Sequence, residues 1–562
     1  LVDSAAALSR HYSFQYQADT QRVRLRGARV YRADGRVDEA IETGVGAADD
    51  PSIAMYTSAR TFNVQFPRLE PGDVVELRYR IDDVTSRNEF ADYFGDIQLL
   101  QSNEWVGHAE YVLDTPKSRK FYVDHRGIPD LKVTSKVDGA RRIYRFAAEN
   151  VEPIVPEPAM PPWPEVLGFV HVSTYANYDE VGRWYWGLAR EQFDLDDATR
   201  KLAREITKGL QTDREKVAAV FNWVIKNTRY VALEFGIYGF KPRRCVQTVS
   251  RGWGDCKDKA TVIVSLLSEL GIDSTIVIVR TQQRGGFQSK VASLAPFDHA
   301  IAYVPSLDLY LDGTAEYTGS SELPEMDQGA LGIRVNRGQP EVVRLPEATP
   351  RQDYRGRRLE LDLDANGNAK VRMQYEVRGT DAPGWRRRYS ASSTRRERIL
   401  SDLSREFPGL LLEPGERGIG AAVDDFEAPV RLTVAGNAPS VARREGPDLS
   451  LAVTTRARLL DEYAALSSRK LDVHIGAFGK VEDTVVVELP PGYQVRSAPA
   501  DVAIDTRFGS FGIAVTKTEG RVEVKSHVAV KVSRVTPAEY AAWRSFCQAV
   551  ETAMAARLVL GR

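Results

Sequence analysis

A chain of 562 residues is too long for one core and points to roughly three or four domains, with enough apolar surface to fold without staples. Its 76 Lys+Arg stand against 77 Asp+Glu, a balance that gives no electrostatic reason to expect nucleic acid or an anionic membrane as partner. Three cysteines (Cys245, Cys256, Cys547) and seven scattered histidines form neither a disulfide framework nor a metal-ligand pattern, and no run approaches the roughly 18 apolar residues of a membrane helix, so no metal, no cofactor and no transmembrane segment is expected.

The chain begins with Leu1 in place of Met, as either a processed product or an engineered fragment would, and the missing export signal says nothing about compartment. From Arg22 to about Arg145, short alternating runs such as Val23-Arg24-Leu25-Arg26 and Val74 to Tyr79 are divided by Asp34-Gly35 and Pro71-Gly72 turns. This predicts an N-terminal β domain of sandwich type over residues 1–152. Six prolines between Pro153 and Pro164 exclude helix and central strand and make 153–174 an extended connector. Helical spacing follows at Ala198 to Leu210 and Asp213 to Thr228, with Asp213 as an N-cap candidate.

Next comes Gly252-Trp253-Gly254-Asp255-Cys256-Lys257-Asp258-Lys259-Ala260, a tight turn that runs straight into a helix. The apolar stripe Ile263, Val264, Leu266, Leu267, Leu270 ends at Gly271. Ser274 to Arg280, His299 to Val304 and Leu307 to Asp312 read as strands and close a mixed domain over 175–345. The C-terminal part, 346–535, returns to β-patterning. It has a hairpin at Leu359 to Val377 turning on Asn366-Gly367 in the I′ manner and a helical insertion from Trp385 to Phe407. Residues 536–562 read as a closing helix that buries Tyr540, Trp543, Phe546, Val550 and Met554. The fold class is α+β, with a mixed centre flanked by β domains.

Cys256 opens its helix, where unpaired N–H groups and the positive dipole end favour an anion, so the thiolate form is favoured there. Asp255 beside it is expected to turn back and cap the helix or to meet Lys257 or Lys259. Acyl transfer by a thiol needs a histidine to take and return the proton and a carboxylate to orient the imidazole. His299 and Asp312 stand at the outer ends of adjacent strands. If the chain reverses near Pro305-Ser306-Leu307, residues whose numbers add to about 611 face each other, within one or two positions because proline fits an I′ turn badly. Trp253 is a candidate second oxyanion donor beside the Cys256 N–H. Tyr238, flanked by Gly236 and Gly239, is the candidate groove residue among Tyr230, Phe235, Tyr238 and Phe240. Cys245 and Cys547 read as core residues.

Gly254-Asp255-Cys256-Lys257-Asp258-Lys259-Ala260, Phe297-Asp298-His299-Ala300-Ile301 and Leu311-Asp312-Gly313-Thr314 resemble the three signature blocks of the transglutaminase-like superfamily, papain-related thiol enzymes. Further blocks, among them Pro71 to Glu76, Glu157 to Pro162, Gly319 to Pro324 and Pro537 to Leu558, are similar to bacterial proteins that join an N-terminal β domain of unknown function to that core. The resemblance implies a papain-like core with β-sandwich-like domains on either side, Cys256 as nucleophile, His299 as general acid/base and Asp312 as its orienting partner. It implies a periplasmic or secreted setting, a start lying inside the family's N-terminal domain, and a peptide or protein substrate. Such relatives more often carry proline at the position of Gly313.

The expected activity is cysteine-dependent acyl transfer on amide or peptide bonds through a thioester, with protease or amidase ahead of transglutaminase. The rival expectation is a catalytically silent cell-envelope binding or assembly module that uses the same fold as a scaffold.

Overall fold

The computed structural model describes residues 10–18, 20–46, 59–84, 90, 93–232, 236–454 and 457–562. Its contacts divide the chain into two units, Leu1–Tyr93 with Tyr230–Arg243, and Phe94–Arg229 with Arg244–Arg562.

The smaller unit holds strands β1 (His11–Gln17), β2 (Gln21–Tyr31), β3 (Val37–Glu39), β4 (Glu42–Gly46), β5 (Ala59–Gln65) and β6 (Val74–Asp83). They form two three-stranded sheets, ordered β1-β5-β4 and β3-β2-β6 among the described residues. Alternation turns Val23 and Leu25 inward, a register shift between Leu25 and Gly27 changes its phase, and Ala28 and Val30 then meet Val64, Phe66 and Leu69 in a shared core. Phe14 on β1 stacks on Tyr79 on β6 with ring centroids 4.1 Å apart.

The larger unit begins with β7 (Gly95–Leu99), β8 (Val106–Pro116), β9 (Tyr122–Arg126), β10 (Lys132–Asp138) and β11 (Arg141–Val151), strands that the sequence pattern groups with the N-terminal domain. The connector then differs from the extended segment expected. After its prolines come a one-turn helix α1 (Trp163–Val166) and a strand β12 (Phe169–Ser173). β12 is buried at every residue and pairs with β7 on one side and β9 on the other. A strand of five residues covered on both faces carries no alternation, so nothing in the pattern of Phe169-Val170-His171-Val172-Ser173 announces it.

The mixed domain follows with helices α2 (Tyr178–Ala189), α3 (Asp197–Ile206), α4 (Asp213–Asn227), α5 (Cys245–Arg251) and α6 (Cys256–Glu269). Thr212 caps α4 in place of Asp213: its side chain accepts from Glu215 N while Glu215 reaches back, a reciprocal box worth about 1 kcal/mol. Helix α6 lies at the centre, its residues from Cys256 to Leu267 all buried. It packs on β13 (Thr275–Arg280) and β14 (His299–Val304) of an antiparallel sheet completed by β15 (Leu309–Leu311), β16 (Leu331–Arg334) and β17 (Glu341–Arg344), in the order β15-β14-β13-β16-β17.

The β14–β15 register is Ala302 to Leu311 and Val304 to Leu309, a sum of 613 and thus two positions from the expected pairing. The cause is the connection: Pro305 starts a 3₁₀ turn and Asp308 takes a left-handed φ of 47°, which makes a four-residue reversal where a shorter one was expected.

The C-terminal part contains the hairpin β18 (Tyr354–Leu363) and β19 (Ala369–Arg378). Its loop is not the two-residue I′ form. Asp364 accepts from the backbone N–H groups of Asn366 and Asn368, and in the Asn366-Gly367 pair Gly367 alone takes positive φ, at 87°. These two strands belong to a nine-stranded sheet among the described residues, in which β18 runs parallel to the strand Lys480–Glu488. Two helices, α7 (Ala382–Tyr389) and α8 (Ser392–Leu403), stand where the insertion is expected. The last helix, α9 (Tyr540–Met554), is shorter than the helix expected over 536–562. Arg557–Gly561 turns into a strand paired with Asp448–Ala452. Trp543 and Phe546 of α9 join the largest core, while Leu558 and Leu560, at alternating positions, enter the same core from the strand.

Candidate active site

The turn before Cys256 is built by backbone constraints. Gly252 ends α5 in the left-handed conformation (φ 69°). At Gly254 a Cβ would come within 2.7 Å of the Asp258 Cβ, so this position admits no side chain. Asp255 is the N-cap of α6: Oδ1 accepts from Asp258 N at 3.2 Å, and Asp258 Oδ2 accepts from Asp255 N at 3.3 Å. Its second oxygen accepts from the Lys257 ammonium at 2.7 Å. The sequence leaves capping and lysine pairing as alternatives, and the two oxygens of Asp255 accomplish both. The carboxylate next to the thiol is thereby compensated by a helix terminus and a buried cation.

His299 begins β14, opposite Val279 of β13, and is buried. Its Nε2 lies 3.2 Å from Oδ1 of Asp312, close enough for an ion pair but off the axis of a well-aligned hydrogen bond. Burial disfavours the imidazolium. The negative charge and hydrogen bonding of Asp312, and then the Cys256 thiol, outweigh it and hold His299 well above the ordinary histidine range. The contact with Asp312 occupies Nε2, which leaves Nδ1 for the sulfur.

Asp312 follows β15 and is completely buried. Burial pushes its carboxyl up, but His299 and the hydrogen bonds from Thr314 pull it below the usual range. Those bonds run from Thr314 N and Oγ1 to Oδ1, at 2.8 and 2.7 Å. Between them stands Gly313, where a Cβ would lie 3.1 Å from the Lys259 Cβ and 3.2 Å from Ile263 Cδ1. Tight packing against α6 thus accompanies the departure from proline at this position.

Cys256, His299 and Asp312 therefore meet in the larger unit, at one end of α6 and two adjacent strand ends. Trp253 is in the same unit, half-buried, with the Arg251 guanidinium 5.4 Å from its ring. Tyr238 belongs to the smaller unit, where it is exposed and the Arg243 guanidinium stands 5.0 Å from its ring. Phe240, also in that unit, packs edge-to-face on Phe90 at 5.7 Å. Phe235 lies outside the described residues. Cys245 is buried at the start of α5, its thiol pushed up to about 12 by desolvation, and Cys547 is buried in α9 with its thiol raised for the same reason.

Of the two lysines expected as partners of Asp255, Lys257 takes that place, and Lys259, one turn along α6 from Cys256, is buried and donates from Nζ to Thr228 O at 2.9 Å; burial draws its ammonium down to about 8. One group escapes sequence reading. Asp327 is wholly buried with a ligand-type oxygen within 4.8 Å of those of His299 and Asp312. One imidazole and two carboxylates are donor types a divalent ion accepts. Here Oδ1 of Asp312 is engaged by Thr314 and His299, while its Oδ2 and both oxygens of Asp327 are buried without a donor. An isolated aspartate in a loop has no periodic neighbours to mark it in sequence.

Comparison with known proteins bears on the same stretch. The profile of the transglutaminase-like superfamily matches residues 200–305, which contain Cys256 and His299. The central domain is transglutaminase-like. The match stops before Asp312. The domain of unknown function DUF3857 matches residues 1–155 and DUF3858 matches 450–560, so the transglutaminase-like domain is preceded by a domain of unknown function, as the resemblance implies. Over 100% of this chain and 94% of its own, a putative protease from Parabacteroides distasonis ATCC 8503 superposes with a TM-score of 0.70 at 14% identity, a likeness of fold. A putative cysteine protease from Cytophaga hutchinsonii aligns over 40% of this chain and 78% of its own at 13% identity, with a TM-score of 0.18 that establishes no likeness of fold. No curated protein matches the chain. No helix among the described residues is long and apolar enough to cross a membrane.

Proposed function

We propose that the chain is a cysteine-dependent acyl-transfer enzyme that cleaves amide or peptide bonds through a thioester on Cys256, with water as the favoured acceptor and an amine as the second. The observation that carries this reading is the convergence of Cys256, at a capped helix N-terminus, with a His299 that is drawn to the charged form by Asp312. The superfamily match and the protease name given to a protein of the same fold support a thiol enzyme in general.

The steps follow from the groups present. The thiol proton moves to Nδ1 of His299 and the sulfur forms a bond to the amide carbon, placing the carbonyl electron pair on oxygen. Collapse breaks the C–N bond while the imidazolium gives its proton to the departing amine. Water then attacks the thioester, its proton passes to His299, and the acid leaves as Cys256 thiolate is restored. Asp312 stays ionised throughout, keeps the ring turned and stabilises the imidazolium each time it forms. The Cys256 N–H, in a helical turn whose N–H groups lack intrahelical acceptors, is the proposed first oxyanion donor, and the Trp253 indole N–H the second; one such donor lowers the barrier by about 3 kcal/mol.

The test is competitive labelling. Limiting iodoacetamide at pH 6, read by peptide mass spectrometry, is expected to modify Cys256 ahead of Cys245 and Cys547, and His299→Ala is expected to abolish the preference. Equal, slow labelling of all three thiols would instead favour the silent scaffold.

A further inference from the structure

Asp327 sits in a 3₁₀ turn (Glu325–Asp327) held from several sides. Its N–H donates to Pro324 O and its carbonyl accepts from Ala330 N. The side chain of the next residue, Gln328, donates to Leu323 O and Thr380 Oγ1 and accepts from Ala348 N, at 2.8 to 3.1 Å. So fixed, the Asp327 carboxyl is fully buried and neither of its oxygens meets a protein donor. The neighbouring Asp312 has one oxygen engaged by Thr314 and His299, while its other oxygen, Oδ2, is also buried without a donor.

Two adjacent carboxyls out of water do not both ionise. Asp312 has the imidazole and two hydrogen bonds to stabilise a charge; Asp327 has none. We propose that Asp327 is a positioning residue, a neutral carboxylic acid whose O–H donates to the free Oδ2 of Asp312 and holds that carboxylate charged and turned toward His299. One shared proton satisfies an orphaned oxygen on each side. Burial, and next the Asp312 charge, push Asp327 well above the usual carboxyl range, in accord with that arrangement.

The other charged groups around the pair are accounted for. Asp298 accepts from Thr281 N and Oγ1 and lies 3.4 Å from Arg284, Lys259 is bound to Thr228 O, and Glu325 accepts from Ala477 N. The inference rests on the proposed roles of Cys256 and His299, and its test separates the two.

The full chain and its Asp327→Asn and Asp327→Leu variants, alike in side-chain heavy-atom count and branching and differing in whether a donor is present, are alkylated with iodoacetamide from pH 4 to 10. The wild type defines the proposed site: if Cys256 reacts no faster than Cys245 and Cys547, the reading of the site fails. If it does react faster, Asp327→Asn, with an amide N–H in place of the acid, is expected to stay within about threefold of wild type at pH 6. Asp327→Leu is expected to fall about tenfold and to move its acid limb to higher pH, because Asp312 without a donor holds its charge less well.

A Leu variant that matches wild type at every pH overturns the inference, and so does an Asn variant as slow as Leu. Stoichiometric Zn²⁺ binding lost in both variants overturns it as well, since the carboxyl would then be a ligand. Should Asp327→Leu fail to fold, infrared difference spectra of wild type against Asp327→Asn at pH 7 decide the matter. A protonated-carboxyl C=O band in the wild type is expected, and its absence overturns the proposal whatever the thiol does.

Discussion

His299 is the residue on which burial and charge act in opposite directions, and charge prevails because Asp312 stands 3.2 Å away in a largely buried site. Asp312→Asn removes the negative charge that does most to hold the imidazole protonated, so the upper inflection in the pH dependence of Cys256 alkylation, where His299 loses its proton, is expected to move to lower pH. An unmoved inflection would mean that Asp312 does not set the ring's charge. Asp327 makes a prediction for stability. Its carboxyl is raised in the folded chain, so its contribution is present below the unfolded value of about 4 and is lost as pH climbs toward the folded value. Against Asp327→Asn, which does not titrate, the wild type is expected to lose about 1.4 kcal/mol per pH unit above pH 4 in urea unfolding, and a gap that does not change with pH would show that Asp327 ionises in the fold. Cys256, His299 and Asp312 are legible in the sequence because each ends a patterned element, whereas Asp327 lies in a turn and its importance comes from a neighbour fifteen positions earlier in the chain.

At the scale of elements, the N-terminus of α6 sets the sulfur in place. Asp255→Ala removes the cap, about 1 kcal/mol, and leaves the Lys257 ammonium buried without its carboxylate, so a total loss of about 3 kcal/mol or more is expected from urea midpoints. A loss under about 1 kcal/mol would mean that Lys257 finds another partner. Gly254→Ala is expected to slow Cys256 alkylation as well as lower stability, because a methyl 2.7 Å from Asp258 Cβ forces the turn apart. Helix α6 is readable from its apolar stripe and its Gly271 stop. The pairing of β14 with β15 is readable to within two positions, since proline excludes the shortest turn without saying which longer one replaces it. The buried strand β12 is not readable at all: short, and covered on both faces, it has no periodicity to detect.

Across the larger unit, a long-range ion pair and long-range hydrogen bonds join the transglutaminase-like domain to the C-terminal part. Arg386 of α7 is completely buried and grips Glu322 at 2.6 and 3.0 Å, with further bonds to the carbonyls of Tyr317 and Ala428. Glu427 accepts from Ser320 N and Oγ and from Asn222. These contacts fix the segment after Asp312, so Arg386→Leu, which takes the cation from Glu322 and leaves it the Gly319 N–H, is expected to cost about 3 kcal/mol and to slow Cys256 alkylation; thermal unfolding and labelling rates measure both, and unchanged values would uncouple the C-terminal part from the site. Pairs 64 and 107 positions apart leave no trace in local pattern, which is why the α+β order is legible and the docking is not. The most direct measurement is acid-quenched peptide mapping of the full chain after brief exposure to p-nitrophenyl acetate. The expected outcome is an acetyl group on Cys256, discharged by hydroxylamine and missing from His299→Ala. Acetylation confined to lysines or to Cys245 and Cys547, with Cys256 unmodified, would contradict an acyl-transfer role for this thiol.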